Sequence, residues 1–181
     1  MPVEFLTDDE AAAFGRFASV PGRADLERVF FLDDADLVLV AGRRGEYSRL
    51  GFALQLVTVR SLGTFLENPL DVPVVVLDFV AGQLGIGDPS VVKKYLERRT
   101  TLFEHQLLIR EADGWRDFSA AEADFTGWVA ARAWTSGDGP KGIFSDAVEW
   151  LRQRRVLLPG VLRPYGFVRQ LVRSLFSHDR S

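Results

Sequence analysis

FVAGQLGIGDPSVVKKYLER, Phe79 to Arg98, reads as two helices joined by a tight glycine turn, with a cationic outer face on the second. Ala81 is small enough to let another helix cross closely, Leu84 closes the first helix, and Gly85 supplies the left-handed C-cap that residues with a Cβ resist. Asp88 and Ser90 are helix starters, and Pro89 suits a first turn. At about 100° per residue, Val91, Val92, Tyr95 and Leu96 share one arc of the second helix, while Ser90, Lys93, Lys94, Glu97 and Arg98 share the other. One face packs and the other is open to phosphate, which is the plan of a helix-turn-helix. An ordinary helical hairpin with a solvated lysine face fits the same pattern.

Working outward, helical signals continue along nearly the whole chain. Upstream, the apolar run from Pro73 passes without a turn signal to Leu84 and ends at glycine, which favours helix over a buried strand carrying Asp78 near its end. Gly85-Ile86-Gly87 lacks the third glycine and the following acid of a dinucleotide loop. Gly63 to Val72, with Asn68-Pro69, is a connector and suggests a module boundary near residue 68. Before it, Ser48 to Ser61 carries Leu50, Phe52, Ala53, Leu54, Leu56, Val57 and Val59 on nearly every side, so that helix is expected to be buried. Shorter helices are expected over about Ala24 to Phe31 and, capped by Asp33 or Asp34, through Ala41. Thr7 to Glu10 reads as a capping box for the first helix, with Ala11, Phe14, Phe17 and Ala18 inward.

Downstream, helices are expected from Thr100 to Glu111, from Phe118 to about Trp134, and again after the loop Thr135 to Lys141, the last presenting Phe144, Ala147, Val148 and Leu151. The final stretch carries Val168, Leu171, Val172, Leu175 and Phe176 as an apolar stripe, with Arg169 and Arg173 outside it. The expected fold is all-α: two small helical modules in tandem, residues 1–68 and 69–160, the second with the helix-turn-helix, followed by a basic amphipathic tail, 161–181.

The net charge of −3 argues against a polyanionic partner until the charges are followed along the chain. Residues 1–41 hold three bases and nine acids, whereas 42–60 hold four bases (Arg43, Arg44, Arg49, Arg60) against Glu46 alone. Residues 61–92 are purely acidic, 93–116 hold six bases against four acids, and 150–181 hold seven arginines against one aspartate. Charges farther apart than a Debye length of about 10 Å are screened, so a polyanion responds to the local block rather than to the total. Arg49 and Arg60 lie about three helical turns apart on one helix, close enough in direction to straddle a groove; capping a buried helix with their heads in water is the competing reading, preferred for Arg60.

Other function classes find little support. There is no cysteine, and two histidines, His105 and His178, make no convincing zinc site, so no metal or cofactor is expected. His105 stands in no Ser-His-Asp pattern and reads as a polar edge residue. Apolar runs fall far short of the roughly 20 residues of a spanning helix, and the acidic N-terminus is no signal region, so the expected setting is the cytoplasm, with no membrane partner.

Several blocks carry a family resemblance. MPVEFLTDDEAAAFGRF, LDDADLVLVAGRRGEYSRLGFALQLVTVRSLGTFLENPLDVPVVVLDFVAGQLGI, LERRTTLFEH and WRDF resemble the N-terminal region of the large replicative transposases of the Tn-three type, over roughly residues 1–160. RLGFALQL from Arg49, with the LGTFL that follows, is the most specific part. In that family the region precedes the catalytic domain and binds the terminal inverted repeats of the transposon through tandem helical modules. The resemblance implies Arg43, Arg44, Arg49, Lys93, Lys94, Arg98 and His105 as DNA-facing; Arg60 and Arg99 complete the candidate set, and Ser90, Lys93, Lys94 and Glu97 are expected at base edges.

Two departures stand out. Thr101 to Glu104 lacks the basic residue that members commonly carry before the histidine, and the family's catalytic carboxylates belong to a separate domain that this sequence does not reach. The implied function is therefore sequence-specific binding of double-stranded transposon ends without cutting, in a bacterial, nucleoid-associated setting. The alternative is a helical protein-interaction module or an inactive transposase remnant, in which the apolar stripe at 168–176 pairs with a second copy or with a transposase.

Overall fold

Helices account for the regular structure of the computed structural model, which describes residues 15–135 and 140–159. Among the described residues no strand forms; extended pairing is limited to an isolated bridge between Arg116 and Val156. The all-α expectation holds. The first expected helix falls mostly on residues 1–14, and the apolar stripe at 168–176 falls entirely beyond 159, both outside the described residues. The chain divides into two compact units, Arg16–Gly114 and one that includes the described residues from Trp115 onward. The connector near residue 68 therefore lies within the first unit.

That unit contains α1 (Arg23–Val29), α2 (Asp34–Ala41), α3 (Glu46–Leu62), α4 (Val74–Gln83), a 3-10 segment (Pro89–Glu97) and α5 (Arg99–Asp113). Asp33 caps α2 in a reciprocal box with Asp36, each side chain accepting from the other's backbone N–H. α3 is the axis of the unit: every other element of the unit packs on it, and Leu50 through Val59 are all buried. Its apolar character all round, visible in the sequence, is met by neighbours on all sides; burying each Leu or Val contributes on the order of 1.5–3 kcal/mol. Gly63 ends it in the left-handed conformation that glycine adopts without strain.

The run VVVLDFV is helical, as the absence of a turn signal predicts, and Gln83 at its end ties α4 to the 30–32 loop, accepting from Leu32 N–H at 2.8 Å and donating to the Phe30 carbonyl at 3.0 Å. Gly85 is left-handed, as expected.

The following segment departs from expectation. An α-helix from Pro89 to Arg98 is replaced by 3-10 turns over Pro89–Glu97, opened by Asp88, whose carboxylate accepts from Ser90 N–H. Three residues per turn, rather than 3.6, align Val92 and Tyr95 in one inward row and turn Leu96 outward, where it is 39% exposed. The helix-turn-helix plan thus survives only as helix, glycine turn and tight 3-10 arm.

In the second unit, a short 3-10 turn (Phe118–Ala120) leads into α6 (Glu122–Thr135) and α7 (Pro140–Gln153). Ala121, Phe125, Val129, Phe144, Ala147, Trp150, Leu151, Val156 and Leu158 form its core. Edge-on aromatic contacts of Phe125 with Phe118 and Trp150, at 5.3 and 5.6 Å, fill it, and Arg132 bonds Asp146 across the two helices. Phe144, Ala147 and Leu151 sit inward as the sequence predicts.

Candidate nucleic-acid interface

The candidate residues are organised by one close approach. Gly51 of α3 faces the ring of Tyr95 so tightly that a Cβ there would stand 2.3 Å from Tyr95 Cγ. Glycine is what allows the 3-10 arm to lie on α3 at this point. Tyr95 is buried, its ring stacked on His105 of α5 at 5.5 Å between centroids, and Phe52 meets the same imidazole edge-on at 5.1 Å. Arg43, in the turn before α3, lies over the Phe52 ring at 5.3 Å.

A buried polar chain runs through this junction. Gln106 Nε2 donates to Gln55 Oε1 at 3.0 Å, Gln55 Nε2 donates to Tyr95 Oη, and Tyr95 Oη lies 2.7 Å from His105 Nδ1. Burial, and then the nearby Arg43 charge, push His105 down to about 4, so its ring is neutral at neutral pH; with Tyr95 Oη already accepting from Gln55, the tautomer whose Nδ1 accepts from the Tyr95 hydroxyl completes the chain. Burial raises Tyr95 well above the usual phenol range, only partly offset by the Gln55 hydrogen bond, and keeps it a neutral donor. Gln55 was readable as an anomaly: one amide in an otherwise apolar helix must find partners when buried. Nothing in the sequence indicated that those partners lie 40 and 51 residues away.

His105 is therefore buried, 4% exposed, rather than a polar edge residue or an outward DNA contact. A pH dependence follows. The unfolded imidazole takes up a proton below about 6.5 and the folded one only near 4, so stability is fully present above 6.5 and is lost as the pH falls through that window. The expected loss is about 2–3 kcal/mol, measured as a narrowing gap in unfolding free energy between the protein and His105→Gln when the pH drops from 7.5 to 4.5.

Arg60 is likewise engaged inside the protein. Its guanidinium donates to both oxygens of Asp36, at 2.8 Å each, and to both of Asp113, at 2.6 and 2.7 Å. Burial acts to lower its pKa, but the bonds to Asp113 and Asp36 outweigh that and hold it above the ordinary guanidinium value. Held by two carboxylates, its head is not free to reach into a groove, so the straddling pair with Arg49 does not form: the charge links α2, α3 and α5.

The other candidates remain at the surface. Arg44, Ser90, Lys93, Lys94, Glu97, Arg98 and Arg99 are exposed, and Arg43 and Arg49 are half-buried. Among the described residues, no ion pair involves Arg43, Arg44, Arg49, Lys93, Lys94, Arg98 or Arg99. The Tyr95–Gly51 and Tyr95–His105 contacts bring their three segments together. Lys93, Lys94 and Arg98 lie within three residues of Tyr95, Arg49 within two of Gly51, and Arg99 about 9 Å along α5 from His105. Gly45, the N-cap of α3, has no side chain to cap it, so the positive end of that helix opens beside Arg43 and Arg44. Asp88, Glu46 and Glu97 temper the local charge without forming ion pairs; Asp88 is itself drawn below the ordinary carboxylate value, mainly by its hydrogen bonds from Ser90 and slightly by Lys93.

The sequence family described as domain of unknown function (DUF4158) matches residues 5–163. The chain is 45% identical over 162 residues to the transposase for transposon gamma-delta of Escherichia coli K12, covering 88% of this chain and 16% of that protein. It is 35% identical over 139 residues to the transposase for transposon Tn501 of Pseudomonas aeruginosa, covering 76% and 14%, and 28% identical over 159 residues to that for Tn1546 of Enterococcus faecium, covering 87% and 16%. The chain thus spans about one-sixth of the length of these relatives. The match takes in both units, and with it the sequence family is settled: the chain belongs to DUF4158 and resembles transposases of the Tn-three type over most of its length.

Proposed function

We propose that the chain binds double-stranded DNA at transposon ends, as the end-recognition part of a transposase. The observation that supports this reading is that seven cations, Arg43, Arg44, Arg49, Lys93, Lys94, Arg98 and Arg99, stand wholly or partly at the surface in no ion pair, on segments joined at the Tyr95 contacts, in a chain of net negative charge. Arginine and lysine heads supply phosphate attraction, the open end of α3 adds peptide N–H donors, and Ser90, Lys93, Lys94 and Glu97 on the 3-10 arm supply groups for base edges. The relatives named above, all transposases of transposons, agree with that partner.

The test is fluorescence anisotropy with a duplex carrying the gamma-delta terminal inverted repeat, against a scrambled duplex, over a range of salt. Steep salt dependence and preference for the repeat are expected. Lys93→Ala with Lys94→Ala is expected to weaken both complexes and reduce the log–log salt slope by about 2. Binding that ignores salt, or no binding by the folded protein, removes the reading.

A protein-interaction role is favoured by one separate feature: Phe103 and Leu107, one turn apart on α5, are 60% and 58% exposed. A sedimentation measurement with and without the duplex reports self-association directly.

A further inference from the structure

The 3-10 arm is held by tertiary contacts more than by its own backbone. Its hydrogen-bond geometry is poorer than that of an α-helix, and nine residues exceed the usual length of such runs. Val92 and Tyr95 are its only buried side chains, and an apolar contact alone permits sliding along the surface of a helix. Polar pairing inside an apolar interface behaves differently, because a shifted register leaves buried donors and acceptors unsatisfied. Tyr95 meets this condition from two elements at once, through Gln55 of α3 and His105 of α5.

We propose that Tyr95 is a positioning residue for the basic surface: its hydroxyl, bonded to Gln55 and His105, sets the register of the 3-10 arm on α3 and so the placement of Ser90, Lys93, Lys94 and Glu97 relative to Arg44 and Arg49. The inference rests on the duplex-binding reading above. The ring fills the space over Gly51; the hydroxyl supplies the register. Removing the hydroxyl leaves the cations present and phosphate attraction intact, while the groups meant for base edges lose their fixed spacing. Discrimination between sequences is lost before affinity for DNA in general.

Tyr95→Phe separates these effects, since it keeps the ring and deletes only the oxygen. Three readouts are taken on the full chain: amide hydrogen exchange over 89–98, the ratio of affinities for the gamma-delta repeat and the scrambled duplex, and the salt slope. Faster exchange in the arm, a ratio reduced about five- to tenfold, and an unchanged salt slope are expected. Because both residues act through one hydrogen bond, His105→Gln added to Tyr95→Phe should cost little further discrimination. If Tyr95→Phe does not fold, Gln106→Ala, at the half-buried end of the chain, is read in the same assays and should move the ratio in the same direction. An unchanged ratio in a folded variant overturns the positioning role and leaves the DNA-binding reading standing. A protein that binds neither duplex brings down both.

Discussion

Gly51→Ala is expected to destabilise the protein by about 3 kcal/mol, seen as a large fall in the midpoint of urea unfolding. The added methyl would stand 2.3, 2.4 and 2.6 Å from Tyr95 Cγ, Cδ1 and Cδ2, at the root of a buried ring that is stacked on His105 and hydrogen-bonded at its far end. α3 has no room to withdraw, because it is enclosed along ten consecutive residues, Leu50 through Val59, and the arm can move away only by giving up the Tyr95 hydrogen bonds to Gln55 and His105. Helix propensity works the other way, favouring alanine over glycine by about 0.5–1 kcal/mol, and overpacking outweighs it. The control is Gly82→Ala in α4, where a Cβ meets nothing within 4 Å; there propensity acts alone and a gain of about 0.5–1 kcal/mol is expected. Two glycine-to-alanine changes in helices should thus have opposite signs, and a neutral Gly51→Ala would show that the Tyr95 ring does not occupy the cleft.

Arg60→Met is expected to cost about 3–4 kcal/mol by the same measurement. Methionine keeps much of the stem and removes the cation, leaving Asp36, whose side chain is 3% exposed, without the guanidinium that bonds both of its oxygens. Breaking a buried pair from one side is far more destabilising than the net worth of the pair, because the remaining charge stays desolvated. Arg23→Ala provides the contrast: its bond to Glu27 joins side chains 92% and 59% exposed, and water replaces it at little cost, within about 0.5 kcal/mol. Equal effects at the two arginines would mean that the Asp36–Arg60–Asp113 cluster is not closed in solution. The same comparison bears on the proposed DNA surface, since a folded Arg60 variant should retain the salt slope of the unaltered protein while Lys93→Ala with Lys94→Ala does not.

Much of the helical layout was legible because its signals are local. Asp33 before an apolar run, glycine at 63 and 85, and the unbroken apolar run of α4 each act within one or two turns, and the observed helices begin and end near the expected residues. The burial of α3 was legible for the same reason: a helix apolar on every side has no stable solvent-facing orientation. The 3-10 arm was misread because Val91, Val92, Tyr95 and Leu96 suit an α-helical arc as well as a three-residue repeat, and the choice between them lies in what Tyr95 packs against. Of the site, the surface cations were readable as blocks of charge, but the roles of Arg60 and His105 were not. Both look in sequence like cationic or titratable groups on amphipathic helices.

From its own pattern, the chain dictated an all-helical fold, a buried α3, the turn at Gly85 and the clustering of basic residues in short blocks, since each of these depends on neighbours a few positions away. Only the tertiary structure decided which charges are consumed and which stay exposed. Arg60 meets carboxylates 24 and 53 residues away, and His105 is turned inward against Tyr95 and Phe52. The physical reason is that satisfying a buried charge or a buried hydroxyl depends on whichever groups packing brings within about 3 Å, and periodicity along the chain carries no information about that.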